Sequence, residues 1–440
     1  MRATRFVCAS MLAGTLVLAP SSASAQDNPQ ALRQAIDQLR KDFDALKEQY
    51  GNRLTALETK LAAAEGTPPP AAAVPGPPPI AAAQVPPGAE GPGGPVGVLP
   101  TYGSAVTGSK VFNPDMAVIG DFLGAGGRNL VNPTPSLEMH ESELSLQATV
   151  DPYARADFFV SFGEEGVNLE EGFLTLTELP GGLLTKVGKM RAAFGKVNTL
   201  HNHVLPWTDR PLVTQNLVGG EDGIDDAGVS VARLIPNPWL FLEATGQVFR
   251  GDSGNLYKSN KRGDLSYVGH LRGYQDISES SNIDLGFSYS RGHNDAGASG
   301  PVVTEDGLSA FKTQLYGVDA TFRWRPLQRS IYHSFIGRSE WIWSRRDQPN
   351  GLQASSGFYV SGDYQVGRRW FTGVRLDRSD RATDSSLSDN GASFIVTYWP
   401  SEFSQVRAQY RRTNYALAES ANELLFQFQF SIGAHGAHPF

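Results

Sequence analysis

Charged residues are divided unevenly between the two halves of this chain. Eleven arginines lie from Arg323 to Arg381 against five acids, whereas acids dominate from Glu138 to Asp226. If the two halves form facing walls of one cavity, a transverse field crosses it and orients charged or dipolar solutes. For any single arginine, two interpretations are equally good: its charge contacts a solute, or it only keeps a strand or loop polar. Residue alternation and charge select these candidates for the polar lining: Arg323, Arg325, Arg375, Arg407, Arg411, Glu143 and Glu171.

Two pairs of histidines have spacings that suit metal binding. His201 and His203 are separated by one residue, and His435 and His438 by two. A firm zinc or copper site needs three or four converging ligands, and the expected topology keeps the two pairs apart. We therefore predict surface histidines without a metal, and these four side chains are the candidates if a metal is bound.

The sequence contains no recognisable catalytic pattern. It lacks a G-x-S-x-G motif, a P-loop and a metal-hydrolase motif, and its Ser, His and Asp residues have no triad-like spacing. The acidic run at 219–226 lacks the glutamate that would complete a calcium loop. We expect neither enzymatic activity nor a cofactor.

Strands must position these side chains, because residues from about 110 to 440 alternate between apolar and polar or small. Arg375 and Leu376, for example, must point to opposite faces. We count sixteen strands, joined alternately by short turns and by longer loops, a pattern typical of transmembrane barrels. The prediction is an all-β fold, a transmembrane antiparallel β-barrel of about sixteen strands, with a soluble β-sandwich as the alternative. The longer predicted loops are 122–140, 191–225, 292–310 and 379–390.

Three segments precede the predicted barrel, which we assign to 110–440. Residues 1–25 combine Arg2 and Arg5, an apolar run and a small-residue cleavage site, so they read as a signal peptide. The single cysteine, Cys8, lies in that run, which leaves the exported chain without a thiol. Residues 26–65 carry apolar residues every three or four positions, as in an α-helical coiled coil that oligomerises. Residues 66–109 form a linker rich in Pro, Ala and Gly.

Composition excludes two classes of protein. Beyond the first twenty residues, no stretch approaches the length of a spanning apolar helix, which excludes a helical membrane bundle. A formal net charge of -7 argues against a nucleic-acid binder, which needs a basic face.

One segment resembles a known family. The run KVGKMRAAFG at 186–195, preceded by an alternating strand, is similar to a hairpin of the phosphate-selective porins of the O and P type. Some members of that family also have an N-terminal coiled coil. The resemblance implies a trimer of sixteen-stranded barrels that conducts small anions. It carries over no phosphate site, because the second half of the barrel is rich in arginine and poor in lysine.

The connection at 191–225 is too long to be an idle link. In sixteen-stranded porins the loop after the fifth strand folds inward, so the resemblance implies a constriction here. An external cap is the alternative. The side chains expected at the constriction include Lys196, His201, His203, Trp207, Asp209 and Arg210.

These features predict a porin of the bacterial outer membrane, with its N-terminal coil in the periplasm. Small hydrophilic solutes, anions above all, would diffuse passively through a homotrimer embedded in outer-membrane lipid. Peptidoglycan or a periplasmic protein is a candidate partner of the coil, and nucleic acid is not. Two alternatives stay open: an envelope-tethering protein whose barrel is mainly an anchor, and a metal-linked uptake receptor without a plug domain.

Overall fold

The structure is a computed structural model, and it describes residues 115–164, 166–299 and 309–433. The predicted signal peptide, coiled coil and linker lie outside these residues, as do His435 and His438. Among the described residues, no helix has the length and apolar character needed to cross a membrane.

A closed antiparallel β-barrel of sixteen strands makes up the described chain. Each strand pairs with its neighbours in sequence, and the first strand pairs with the last, so that the sheet has no free edge. The predicted strand number and barrel are confirmed. The strands are β1 Asp115–Arg128, β2 Leu137–Asp151, β3 Ala154–Gly163, β4 Gly166–Leu179, β5 Leu183–Arg191, β6 Asp225–Leu234, β7 Phe241–Phe249, β8 Ser266–Ser278, β9 Ser281–His293, β10 Lys312–Trp324, β11 Phe335–Gln348, β12 Gly351–Gly367, β13 Trp370–Asp380, β14 Ser388–Ser401, β15 Ser404–Asn414 and β16 Ser420–Gly433.

The barrel is polar inside and apolar outside, the reverse of a water-soluble protein. In β13, Arg375 is 1% exposed and Leu376 is 58% exposed, as their alternation predicts. The same arrangement recurs in β16, where Gln427 is buried and Phe426 and Phe428 are exposed. An outward apolar band of this kind suits contact with lipid hydrocarbon.

Pairs of aromatic side chains lie on the outer surface toward both ends of the barrel. Near the shorter turns, the Trp370 and Tyr398 rings stack with centroids 4.5 Å apart. Toward the opposite end, the centroids of Tyr289 and Tyr316 are 5.3 Å apart. Aromatic girdles at both interfaces are typical of outer-membrane barrels.

Several strands extend further than the sequence predicted. Most of the predicted loop 122–140 belongs to β1 and β2, and β12 spans seventeen residues. The backbone ladder continues beyond the apolar band because hydrogen bonding does not require lipid-facing side chains. In contrast, β10 ends at Trp324, so Arg325 lies exposed in the following turn and not on the lumenal face. The connection between β11 and β12 is only two residues long, at 349–350.

Candidate functional site

The chain between β5 and β6, residues 192–224, folds into the barrel, and we name it the inserted loop. Its only α-helix, α1, is Leu212–Leu217. In a closed ring of sixteen strands, β5 lies opposite β13. Although the inserted loop begins at β5, the backbone N–H of its Leu212 donates to Oδ1 of Asp377 on β13, at 3.2 Å. The backbone N–H of Thr208 donates to Oε1 of Gln409 on β15, at 3.0 Å. The inserted loop therefore crosses the lumen.

Apolar side chains of the inserted loop pack on an apolar patch of an otherwise polar wall. The Trp207 ring meets the Tyr359 ring edge-on, with centroids 5.0 Å apart, and both side chains are buried. Fully burying one such side chain contributes roughly 1.5–3 kcal/mol. Several such side chains together therefore hold the loop firmly against the wall. The other members of this apolar cluster include Phe194, Val197, Leu205, Leu217, Leu315, Ile342 and Ile395.

A tight turn at Gly195 brings the inserted loop against β9 and β11. Gly195 has φ +61°, in the left-handed region where glycine is favoured. Its N–H donates to Oγ of Ser288 at 2.9 Å, and the N–H of Lys196 donates to Oε1 of Glu340. A Cβ at this position would collide with Oε1 of Glu340. This glycine ends the 186–195 run on which the porin resemblance was based.

Substituting this glycine gives a direct test of the turn. We expect Gly195→Ala to destabilise the inserted loop by about 2 kcal/mol, because the left-handed conformation costs about 1–2 kcal/mol and the Cβ displaces Glu340. Gly181→Ala is the matched control: its φ is +84°, but no atom lies within 4 Å of an added Cβ. Denaturant melts should show the larger loss for Gly195→Ala. Equal losses would mean that Glu340 does not restrict the turn.

Lys196 follows this turn and reaches the wall. Its Nζ donates to Oδ2 of Asp284 at 2.8 Å, and Arg272 Nη2 lies 2.7 Å from the same oxygen. Burial lowers the pKa of Lys196, and the charge of Asp284 opposes that effect only in part. Lys196 thus anchors the loop at β9.

A second anchor, the Asp209 cluster, consists of Asp209, Arg375 and Arg411. Asp209 Oδ2 accepts from Arg375 at 2.9 Å and from Arg411 at 2.7 Å. Burial by itself raises the pKa of Asp209, but the two guanidinium groups lower it to about 2. Each arginine also forms an ion pair with a carboxylate of the barrel wall, Arg375 with Asp377 and Arg411 with Glu423. The cluster therefore clamps the inserted loop to β13 and β15.

Two further arginines hold the backbone of the inserted loop. Arg407 on β15 donates to the carbonyls of Leu205 at 2.8 Å and Trp207 at 3.1 Å. Arg210 donates within the loop, to the carbonyls of Val197 at 3.0 Å and Leu200 at 2.7 Å. These bonds satisfy backbone carbonyls of the inserted loop and fix its path.

Acidic and histidine side chains meet on the other side of the lumen, and we name them the His–Glu cluster. Two β-bulges assemble it, because His140 in β2 and Glu170 in β4 have no partner in the strand register. A bulge sends adjacent residues to the same face, so Glu170 and Glu171 both face inward. The cluster comprises His201 and His203 from the inserted loop with Glu141, Glu143, Glu170 and Glu171 from the wall.

His201 makes the shortest contacts in the His–Glu cluster. His201 Nδ1 lies 2.6 Å from Oε2 of Glu143, and His201 Nε2 lies 2.8 Å from Oε2 of Glu171. His203 Nδ1 lies 3.4 Å from Oε1 of Glu141. Burial lowers the pKa of His201, but the Glu143 charge and the hydrogen bonds to the glutamates raise it well above its usual value. For His203, Glu143 and Glu141 likewise outweigh burial, so its pKa is also raised.

The structure brings most of the predicted site residues into contact with the inserted loop. The prediction of surface histidines was wrong for His201 and His203, which are 8% and 4% exposed. Arg323 lies half-buried near the end of β10, where the charge of Asp284 acts on it. Residues that the sequence did not single out for these contacts are Glu141, Glu170, Gln409, Glu340 and Tyr359. Only the two adjacent acids at 170–171 gave any sequence signal.

Comparison with known proteins agrees with this fold. No family model matches the chain, so the phosphate-selective family is not confirmed. An uncharacterised protein of Aquifex aeolicus is 28% identical over 388 residues, covering 75% of this chain and 81% of that protein. The anion-selective porin of Comamonas acidovorans, at 11% identity, has a TM-score of 0.50 and covers 72% of this chain and 99% of that chain. OprB of Pseudomonas putida, at 10% identity, also has a TM-score of 0.50 and covers 73% of this chain and 94% of that chain. This chain therefore has the barrel fold of outer-membrane porins.

Proposed function

We propose that this protein is a passive diffusion channel of the outer membrane, and that the inserted loop forms its constriction. The observation that supports this proposal most strongly is the path of that loop, which leaves β5 and is hydrogen-bonded to β13 and β15. A barrel that served only as an anchor would have no need of a clamped loop across a polar lumen. Small hydrophilic solutes suit such a lumen, because polar side chains select them by size and charge.

We propose further that anions cross more readily than cations. Arg407 supports this part, because its hydrogen-bond partners among the described residues are all uncharged: Thr397, Gln427 and the two loop carbonyls. The charge of Arg407 therefore adds a positive potential beside the constriction, and the charges of Asp121 and Asp363 offset part of it. The Asp209 cluster contributes less, because each of its arginines faces carboxylates.

Conductance of the purified protein in a planar lipid bilayer tests the channel. We expect discrete, ohmic current steps, absent from a heat-denatured sample of the same preparation. In a potassium chloride gradient the sign of the reversal potential should indicate anion preference. The opposite sign would overturn the anion preference alone, whereas no current steps would overturn the channel itself.

We also propose homotrimeric assembly, and the mass of the protein in detergent tests it.

Truncation of residues 26–100 distinguishes a channel from an envelope-tethering protein. A channel still conducts without this segment, whereas a tether loses its effect on the cell envelope.

A further inference from the structure

We propose that the His–Glu cluster binds a divalent transition-metal ion, with zinc as the best fit. The ligands would be Nδ1 of His201 and of His203 from the inserted loop, with carboxylate oxygens of Glu143 and of Glu141 or Glu170 from the wall. Glu143, His201 and His203 each offer a ligand atom, and these atoms all lie within 4.8 Å of one another. The same holds for Glu141, Glu143 and Glu170. Such an ion would join the loop to β2 and β4.

Distances between the ligand atoms agree with a four-coordinate ion. Zinc–nitrogen and zinc–oxygen bonds of about 2.0–2.2 Å in a tetrahedron separate neighbouring ligand atoms by roughly 3.3–3.6 Å. Nδ1 of His203 lies 3.4 Å from Oε1 of Glu141 and 3.7 Å from Oε2 of Glu143. Nδ1 of His201 lies 3.0 Å from Oε2 of Glu170 and 2.6 Å from Oε2 of Glu143. These four separations lie within about 1 Å of the tetrahedral spacing.

The second nitrogen of His201 supplies an independent argument. Histidine ligands almost always donate their other ring N–H to a carboxylate or carbonyl, which fixes the orientation of the ring. Nε2 of His201 lies 2.8 Å from Oε2 of Glu171, and Oε1 of that glutamate accepts from the backbone N–H of Arg191. Glu171 is thus placed as an outer carboxylate that orients a metal-binding imidazole.

Charge and ligand type select the class of ion. Four carboxylates are gathered here, and Arg191 lies against Glu170 and Glu171. A dication that replaces the protons of the two imidazoles would leave the net charge of this buried cluster unchanged, so binding leaves no additional charge unpaired. Two imidazole nitrogens favour zinc, copper or nickel over calcium and magnesium, which prefer oxygen ligands only. The site does not depend on the proposed channel function, because its ligands are present whether or not solutes pass.

Zinc titration of the purified full-length protein, stripped with a chelator, tests the proposal. Calorimetry should show about one zinc ion per chain, and magnesium should not compete. His201→Asn with His203→Asn should weaken zinc binding by about 100-fold or more, and Glu171→Gln by about 10- to 100-fold. His270→Asn is the matched control, since His270 is a buried lumenal histidine bonded to Ser288, and it should bind zinc as the wild type does.

Several outcomes would overturn the site. They are a wild type that binds no zinc at millimolar concentration, a double histidine variant with unchanged affinity, and loss of binding on changing His435 and His438 instead. X-ray absorption of the zinc-bound protein should show two imidazole ligands with oxygen, and a shell of oxygen alone would contradict the assignment. Far-UV circular dichroism checks that each variant is folded. If the double variant does not fold, Glu143→Gln decides the matter by the same affinity criterion.

Discussion

Deleting Asn198 to Asn216 is expected to raise single-channel conductance by about twofold or more, because this segment crosses the lumen and conductance follows the open cross-section. The deletion removes Trp207 and the Asp209 side of the clamp but retains Gly195 and Lys196 at the wall. The barrel should persist, since β5 and β6 pair directly from Leu183 with Arg233 to Arg191 with Asp225.

A second deletion controls for the loss of loop residues in general. Residues 130–135, between β1 and β2, are exposed throughout. Their removal should leave the conductance unchanged. If the inserted-loop deletion conducts no better than this control, the constriction lies elsewhere and the inserted loop does not form it.

Much of the barrel was predictable because alternation of side chains is a local property of a strand. Arg375 and Leu376 follow from their positions alone, since neighbouring residues in a strand must face opposite ways. Counting such segments gave the correct number of strands. The strand ends were less predictable, because the ladder of β12 continues through residues with no apolar alternation.

The contents of the lumen were less predictable, because they depend on contacts between distant parts of the chain. The bulges at His140 and Glu170 break the alternation, and only the adjacent acids at 170–171 gave any sign of one in the sequence. His201 and His203 belong to a connection whose path is fixed by Trp207 and Tyr359, which are far apart in sequence. A sequence pattern cannot show that such histidines are buried.

For the lumenal arginines, strand alternation predicted the correct face of the barrel but not the contacts that the side chains make. Arg375, Arg407 and Arg411 face the lumen as predicted, yet the structure shows them bonded to the inserted loop. A guanidinium group offers several donors in a fixed plane, so one side chain can hold both the wall and a loop carbonyl or carboxylate. These arginines therefore shape the lumen by positioning the loop, in addition to any effect of their charge on solutes.

Substituting Asp209→Asn should release the inserted loop from β13 and β15. Removing one partner of a buried ion pair costs about 3–5 kcal/mol, because the other charges remain buried without compensation. Here Arg375 and Arg411 would keep Asp377 and Glu423 as partners, so we expect a loss near the lower end of that range. A loss of about 3 kcal/mol corresponds to roughly 100-fold faster hydrogen exchange of loop amides such as Leu212 and Thr208. Mass spectrometry of the exchanged protein measures this, and conductance should rise toward that of the deletion.

Asp252→Asn makes the same chemical change at a partly exposed pair with Lys258 and should alter exchange of the inserted loop very little, because exposed pairs contribute about 0–1 kcal/mol. A double-mutant cycle with Arg411→Gln then isolates the contact itself. If Asp209 acts by bridging the two arginines, Arg411→Gln should have a smaller effect once Asp209 is gone, with a coupling energy of about 1–3 kcal/mol. Additive effects would instead mean that the loop is held by Trp207 and the apolar cluster alone, and that the ion pairs merely neutralise one another.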